Sequence, residues 1–251
     1  MTESYDKPKA LGGKSKPYRK QKPRGAKPAK NGCVKPESGK GVRQREDTAE
    51  AVITGFSPKQ PFGIGAVLSP VPAVIVSCGS VEAPNAMTAA WTGTVNTIPP
   101  KLYISLRKER YSYEIIKATG EFVVNLTTRE LVRAADYLGV RSGRNEDKLS
   151  NLGLSVSPSP KLGAPMLDKS PVSIECRVDK IIPLGSHDMF IADIVGVNVS
   201  PELIDESGRL RLDRAGLIAY CHGEYYALGE KLGSFGYSVR KKQHGHGKKI
   251  K

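Results

Sequence analysis

Two segments of the sequence alternate strictly between apolar and polar residues. In residues 171–181, PVSIECRVDKI, the apolar positions are Val172, Ile174, Cys176 and Val178. In residues 101–107, KLYISLR, they are Leu102, Ile104 and Leu106. Successive side chains of a strand point to opposite faces, so a period of two predicts strands with one buried face and argues against a helix. We therefore expect the intervening polar side chains to face outward, namely Ser173, Glu175, Arg177 and Asp179.

Other segments predict further strands and two short helices. Residues 189–199, MFIADIVGVNV, follow 171–181 through PLGSHD and predict its hairpin partner. Residues 110–121 predict a helix with Ser112 as N-cap and Gly120 as its stop. Residues 127–139 predict a second helix, opened by a capping box at Thr127 and ended by Gly139. Many strands without regular strand-helix alternation predict a mainly β fold, a barrel with a few short helices.

Charge is distributed unevenly along the chain. Residues 1–45 carry 14 Lys and Arg against 3 Asp and Glu, residues 240–251 carry 6 against none, and residues 46–239 carry 19 against 22. The N-terminal segment also holds five Lys-Pro pairs and few large apolar side chains, a composition that does not build a core. We expect disordered basic segments at 1–49 and 240–251 flanking one folded domain at 50–239.

These basic segments have two interpretations. They are either solvated tails that aid solubility or arms that bind an anionic partner weakly, such as RNA, a membrane surface or an acidic protein. A nucleic-acid-binding module built on them is a further functional hypothesis, although the lack of aromatic residues between the basic ones argues against it. Equal RNA binding at low salt by full-length and tail-deleted chains would exclude it.

Cysteine spacing and hydropathy exclude several protein classes. The four cysteines are 45, 98 and 45 residues apart with no CxxC, which argues against a zinc knuckle or a disulfide framework, and we expect no metal site. No run approaches the roughly 18 apolar residues of a membrane span, and the first residues lack the apolar stretch of a secretory leader. The expectation is a cytoplasmic protein without a membrane span.

An anion site is suggested where a predicted strand runs into the first predicted helix. Arg107 leaves the strand, Arg110 lies in the turn, and Ser112 is at the start of the helix. Two guanidinium groups and a hydroxyl at a helix N-terminus suit a phosphate monoester. The residues alone favour the alternative of an ordinary capped helix with surface arginines, and no GxGxxG or GxxxxGK[ST] motif is present.

Four segments in one order carry a resemblance to a known family. They are residues 84–126 (PNAMTAAWTGTVNTIPPKLYISLRKERYSYEIIKATGEFVVNL), 137–148 (YLGVRSGRNEDK), 172–194 (VSIECRVDKIIPLGSHDMFIADI) and 223–238 (GEYYALGEKLGSFGYS). Together they resemble the flavin reductase-like, FMN-binding split-barrel family over roughly residues 62–238. The resemblance implies a homodimeric split β-barrel with FMN in a groove near the dimer interface.

The resemblance also implies the site residues. The flavin would be lined by Asn85, Met87, Thr88, Ala89, Ala90 and Trp91, although a plain barrel strand with Trp91 in the core is the alternative. Its phosphate and ribityl chain would meet Ser105, Arg107 and Ser112, with Arg110 as a further candidate. Asn125 would either bond the flavin or satisfy backbone groups inside the sheet. His187 would approach a nicotinamide or be a turn histidine bonded to Asp188.

The residues do not assign a single role to two further motifs. Residues 142–148, SGRNEDK, resemble a family loop that we interpret as a structural turn, with Arg144 or Lys148 facing the flavin or nucleotide as the alternative. Cys221-His222 departs from the residues that usually precede GEYY, and the sequence offers no reason for it.

The function implied is oxidoreduction. NAD(P)H would reduce bound FMN, which would then reduce free flavin, a metal complex or a redox protein partner. The alternative is a flavoredoxin-like electron carrier that holds FMN without oxidising NAD(P)H.

Overall fold

The computed structural model describes residues 55–240. The chain divides into two units between Pro61 and Phe62. Of the first unit only 55–61 are described, and they contain no helix or strand; every element below belongs to the second. The predicted basic segments 1–49 and 240–251 lie outside the described residues, apart from Arg240.

One antiparallel sheet of seven strands dominates the fold. Its members are β1 (Val74–Gly79), β2 (Pro84–Ala89), β3 (Thr92–Thr97), β4 (Pro100–Leu106), β5 (Glu121–Asn125), β8 (Val172–Pro183) and β9 (Asp188–Val199). Their order across the sheet is β2-β1-β5-β8-β9-β4-β3. Two small sheets pair β6 (Val156–Ser157) with β7 (Met166–Leu167), and β10 (Ile218–Cys221) with β11 (Glu224–Ala227). The mainly β fold predicted from the sequence is confirmed.

The sheet curls around a single apolar interior. Side chains from strands near both edges of the sheet meet there, including Met87 of β2 and Ile104 of β4, and Phe122 and Phe190 fill the centre. A sheet that brings its two edge regions onto one core is an open barrel. The gap between the two edges is where β2 ends and β3 begins, and this gap borders the site described below.

The long β8–β9 hairpin confirms the strongest sequence pattern but corrects one part of it. Val172 and Cys176 are buried as expected, yet Ser173 and Glu175, predicted to face outward, are buried too. The residues around Lys161 cover this half of the strand, where the Lys161 N–H donates to Glu175 Oε2 at 2.8 Å and Asn198 donates to Oε1 at 2.8 Å. Alternation in the sequence predicts that one face of a strand is buried. Here the loop around Lys161 buries the opposite face as well.

The first helix, α1 (Tyr111–Thr119), ends as predicted but begins differently. Gly120 follows it in the left-handed conformation, with φ of 70°, and its N–H bonds Ile116 O. Arg110, not Ser112, is at the N-cap position and makes no side-chain cap. Ser112 is instead buried, and its Oγ accepts a hydrogen bond from Asn85 Nδ2 at 2.7 Å. The predicted cap was wrong because a partner on β2 engages this hydroxyl.

The second helical segment also starts later than predicted. A 3-10 turn at Arg129–Leu131 precedes α2 (Val132–Val140), which runs past Gly139, and α3 (Lys148–Asn151) follows. Thr127 is not a cap, because its hydroxyl has no hydrogen-bond partner among residues 55–240. Its carbonyl accepts from Ile218 N, and Thr128 bridges to Leu217. The backbone at residues 127–128 therefore pairs with residues 217–218 and is not part of a helix. None of the described helices is long and apolar enough to cross a membrane.

A second apolar cluster fixes α2 to the outside of the barrel. Leu131, Ala135 and Leu138 pack with Ile75 of β1 and Ala86 of β2. This contact places the C-terminal end of α2 beside the end of β2 and the start of α1. Three elements distant in sequence thus surround one space.

Candidate functional site

A groove lies where β2 ends, between the start of α1 and the end of α2. It consists of a wide end of about 310 Å³ and a narrow end of about 170 Å³, and both are lined by Met87, Arg107, Arg110 and Val140. The predicted residues at the wide end are Met87, Thr88, Ala89, Ala90, Trp91, Ser105, Arg107, Arg110 and His187. Those at the narrow end are Asn85, Met87, Arg107, Arg110 and Ser112. The structure therefore brings together eleven of the twelve predicted side chains and leaves out Asn125.

The end of β2 forms the floor of the wide end. Ala89 and Ala90 leave room close to the backbone, and Thr88 Oγ1 is held by Ala135 O of α2. Trp91 is 37% exposed, so the alternative of a core tryptophan is wrong. Ser105 N donates to Trp91 O at 2.8 Å, which fixes the chain as it passes from β2 to β3.

The cationic side of the groove is built on the turn from β4 to α1. Arg110 Nη1 donates to Gly139 O of α2 at 2.6 Å. The Arg107 guanidinium makes no hydrogen bond or ion pair with any residue between 55 and 240. Because α1 begins at Tyr111, its first backbone N–H groups add positive partial charge at the same place. The arrangement favours an anion beside Arg107.

Asn85 and Ser112 form the buried wall of the narrow end. Asn85 Nδ2 donates to Ser112 Oγ and contacts Cys78 Sγ at 3.8 Å. Burial raises the pKa of the Cys78 thiol, so this cysteine stays a neutral thiol at neutral pH and packs in the wall. Gly143 packs directly on this wall, and a Cβ there would collide with Asn85 Oδ1. The loop at 142–148 is thus a structural turn that closes the narrow end.

Of the two charged candidates in this loop, Arg144 and Lys148, it is Lys148 that lines the groove. It is buried and lines the narrow end, whereas Arg144 points outward to Glu114 at 2.6 Å and stacks over the Tyr111 ring at 5.3 Å. Burial, followed by repulsion from Arg110, lowers the pKa of Lys148 to about 8. The sequence marked this lysine only through the SGRNEDK resemblance.

His187 lies in the β8–β9 turn and faces the wide end. Its Nδ1 is 2.9 Å from Ser186 Oγ, and it makes no hydrogen bond to Asp188, so the alternative of a turn histidine bonded to Asp188 is wrong. Asp188 instead accepts from the Tyr113 hydroxyl at 2.7 Å. Partial burial, followed by repulsion from Arg107, lowers the pKa of His187. The imidazole is therefore mainly neutral at neutral pH, and it can both donate and accept a hydrogen bond.

Asn125 lies away from the groove, inside the sheet. Its Nδ2 donates to Ile75 O and Ser77 Oγ, and its Oδ1 accepts from Leu167 N and Ser173 Oγ. The amide thus has partners on both atoms. Of the two predicted alternatives, the geometry supports satisfaction of buried groups.

The β10–β11 hairpin supplies the far wall of the wide end, and no pattern in the sequence predicted this. Tyr220 and Tyr225 are paired across the hairpin with ring centroids 5.3 Å apart, and Tyr225 Oη lies 3.4 Å from Asp136. His222 and Gly223 form the connecting turn, with φ of 52° and 100°. The unexplained His222 is therefore one of two positive-φ residues in a two-residue turn. The GEYY segment resembles the family and was the sequence signal for this hairpin, but it did not predict which elements the hairpin would face.

The chain matches the model of the flavin reductase like domain over residues 67–229. That range includes every element that lines the groove. The chain belongs to the flavin reductase-like family.

Individual proteins and structures that are similar to this chain agree with the assignment. The structure of flavoredoxin from Desulfovibrio vulgaris (Miyazaki F) aligns with a TM-score of 0.68 and 32% identity, covering 73% of this chain and all of that one. An uncharacterised protein of Archaeoglobus fulgidus is 36% identical over 47% of this chain. An NADPH-flavin oxidoreductase of Streptomyces viridifaciens is 26% identical over 56% of this chain and 74% of its own length. The chain spans 66% and 50% of the first two curated relatives.

Proposed function

We propose that the protein is an FMN-binding oxidoreductase that passes reducing equivalents from NAD(P)H through FMN to a flavin, a metal complex or a protein acceptor. The observation that carries the proposal is the guanidinium of Arg107, which lines both ends of the groove without a partner among residues 55–240. A free guanidinium at a helix N-terminus suits the phosphate of FMN.

The rest of the groove fits the remainder of FMN. The small residues at the end of β2 allow a flat ring to approach the backbone, and Ser105 lies between that strand end and Arg107. The residues that would hold the cofactor are Asn85, Met87, Thr88, Ala89, Ala90, Trp91, Ser105, Arg107, Arg110 and Ser112. Bound FMN supplies the hydride and electron chemistry, and the chain binds it, orients it and limits water access.

His187 would help to place the nicotinamide of NAD(P)H at the wide end. A neutral imidazole held by Ser186 can hydrogen-bond a carboxamide group without attracting the cofactor phosphates away from Arg107. The similarity to an NADPH-flavin oxidoreductase supports a nicotinamide donor.

The second candidate is an electron carrier that holds FMN but does not oxidise NAD(P)H. It is favoured by the similarity to a flavoredoxin, which extends over that whole protein. Both candidates need the same FMN site, so they differ only in the electron donor.

The absorption spectrum of the purified protein tests both candidates. We expect flavin bands after incubation with FMN, and their bleaching by NADH or NADPH without oxygen indicates the reductase. Reduction by a redox protein alone would indicate the carrier. A protein that takes up no FMN would contradict both.

Substitution of Arg107 tests the observation on which the proposal rests. Arg107→Met should weaken FMN binding by about tenfold or more, because a charge-assisted bond to phosphate is lost, and should leave riboflavin binding unchanged. Flavin fluorescence quenching gives both dissociation constants. Arg129→Met is the matched control, since Arg129 is exposed and outside the groove lining. Equal effects of the two substitutions would contradict the assignment of Arg107.

A further inference from the structure

Lys148 makes an unusual set of contacts for a lysine. Its side chain is buried, and its ammonium lies within hydrogen-bonding distance of three backbone carbonyls. The distances are 2.5 Å to Ala86 O of β2, 3.4 Å to Leu138 O of α2, and 3.3 Å to Arg141 O, which follows α2. One ammonium thus joins three segments that border the narrow end.

The electrostatics of α2 explain why a cation is needed here. The last carbonyls of a helix have no partner within the helix and carry partial negative charge. The C-terminal end of α2 borders the groove, where that charge would repel an anion. Lys148 binds the carbonyls of Leu138 and Arg141, and Arg110 binds the carbonyl of Gly139. Two cations therefore neutralise an end that would otherwise oppose phosphate binding.

We propose that Lys148 is a positioning residue of the phosphate end of the groove, whose ammonium neutralises the end of α2 and thereby makes the affinity for a phosphate monoester depend on pH. The inference rests on the proposed function, because the monoester is the phosphate of FMN. Lys148 acts through the carbonyls that it holds and through its charge.

The groups that face Lys148 determine the pH range. Burial is the largest influence and disfavours the charge of Lys148, Arg110 repels it and the carboxylate of Glu146 favours it, so the pKa is about 8. The nearby Cys78 is an uncharged thiol in this pH range, because burial raises its pKa. The other ionisable side chains at the narrow end are Arg107, Glu109, Tyr111 and Arg141. A phosphate monoester has its second pKa at about 6 and is a dianion above neutral pH. FMN binding should therefore weaken as Lys148 loses its proton, and a bound dianion should raise the pKa of Lys148 in return.

The experiment compares FMN with riboflavin across pH in the full-length protein. We expect the dissociation constant of FMN to rise about tenfold from about pH 7 to about pH 9.5, and that of riboflavin, which lacks the phosphate, to stay constant. Lys148→Arg should bind FMN with little pH dependence, because a guanidinium stays charged. Lys148→Met should bind FMN weakly at every pH, and Lys180→Met, at an exposed lysine outside the groove lining, should behave as the unchanged protein.

The outcomes separate this inference from the proposed function. FMN binding that is tight and independent of pH would overturn the role of Lys148 and leave the FMN site intact. An equal alkaline loss for FMN and riboflavin would also overturn it, since the effect would not involve the phosphate. No binding of FMN at any pH would overturn the proposed function and this inference with it. The pH profile of the unchanged protein decides the matter even if Lys148→Met does not fold.

Discussion

The role of a polar side chain in this protein depends on whether its polar atoms already have hydrogen-bond partners within the chain. Arg107 and Asn125 were both predicted to contact the flavin. The Arg107 guanidinium has no partner between residues 55 and 240, whereas both amide atoms of Asn125 are bonded within the sheet. Only the first is free to bind a ligand.

Substitution of Asn125 should affect stability and not the cofactor. Asn125→Ala leaves Leu167 N and the hydroxyl of Ser173 unpaired in a buried site, and we expect a loss of about 2–4 kcal/mol in the free energy of unfolding. Urea denaturation measures the loss. Asn145→Ala is the control because Asn145 is exposed. A loss of FMN affinity with unchanged stability would instead support the flavin contact.

At the scale of elements, the site depends on how the 142–148 loop is held against β2 and α1. Gly143 allows the loop to touch Asn85 and the Tyr111 ring, and Lys148 anchors the end of the loop. The SGRNEDK segment is therefore a wall of the narrow end. The segment can form this wall because Gly143 lets the loop backbone lie close to Asn85 and because the buried charge of Lys148 holds the end of the loop.

A methyl group at Gly143 should disturb that wall. Gly143→Ala should displace the loop from Asn85, weaken FMN binding about tenfold and leave riboflavin less affected, because the phosphate end is the part disturbed. Titration with both ligands measures this. Gly163→Ala is the control, since a Cβ there would make an ordinary contact of 3.5 Å with Glu121. Equal behaviour of the two variants would show that the loop tolerates the methyl group.

The β8–β9 hairpin shows which features of an element can be predicted from hydrophobic alternation. Its existence and the buried face at Val172 and Cys176 were predicted, because hydrophobic alternation is a local property. The burial of Glu175 was not, because it depends on Lys161 and Asn198, which pattern analysis of one strand does not include. The start of α1 was missed for the same reason at Ser112.

At the scale of the whole molecule, large apolar side chains remain exposed. Examples among residues 62–240 are Phe62, Ile64, Ile98, Leu232 and Phe235, each at least 85% exposed. Extensive apolar exposure is typical of surfaces that bind another chain. The homodimer predicted from the family resemblance stays a prediction, and so does the anionic partner of the basic segments.

The mass in solution tests the homodimer. Light scattering of the full-length protein should give about twice 27.1 kDa, and the value should not fall at high salt, because an apolar interface is not screened. A mass near that of one chain at micromolar concentration would contradict it. A mass that falls with added salt would point to association through the charged segments instead.

The sequence by itself determined the mainly β fold, the β8–β9 hairpin, the stop of α1 at Gly120 and the cluster of Arg107 and Arg110 at a helix start. These features follow from side chains that are neighbours in the chain, and the family resemblance supplied the remaining groove residues on β2. Only the tertiary structure decided that Asn125 is engaged inside the sheet, that Ser112 binds Asn85, and that Lys148 binds the end of α2. Each of these depends on a partner 10 or more residues away, and the energy of a buried polar group is set by that partner.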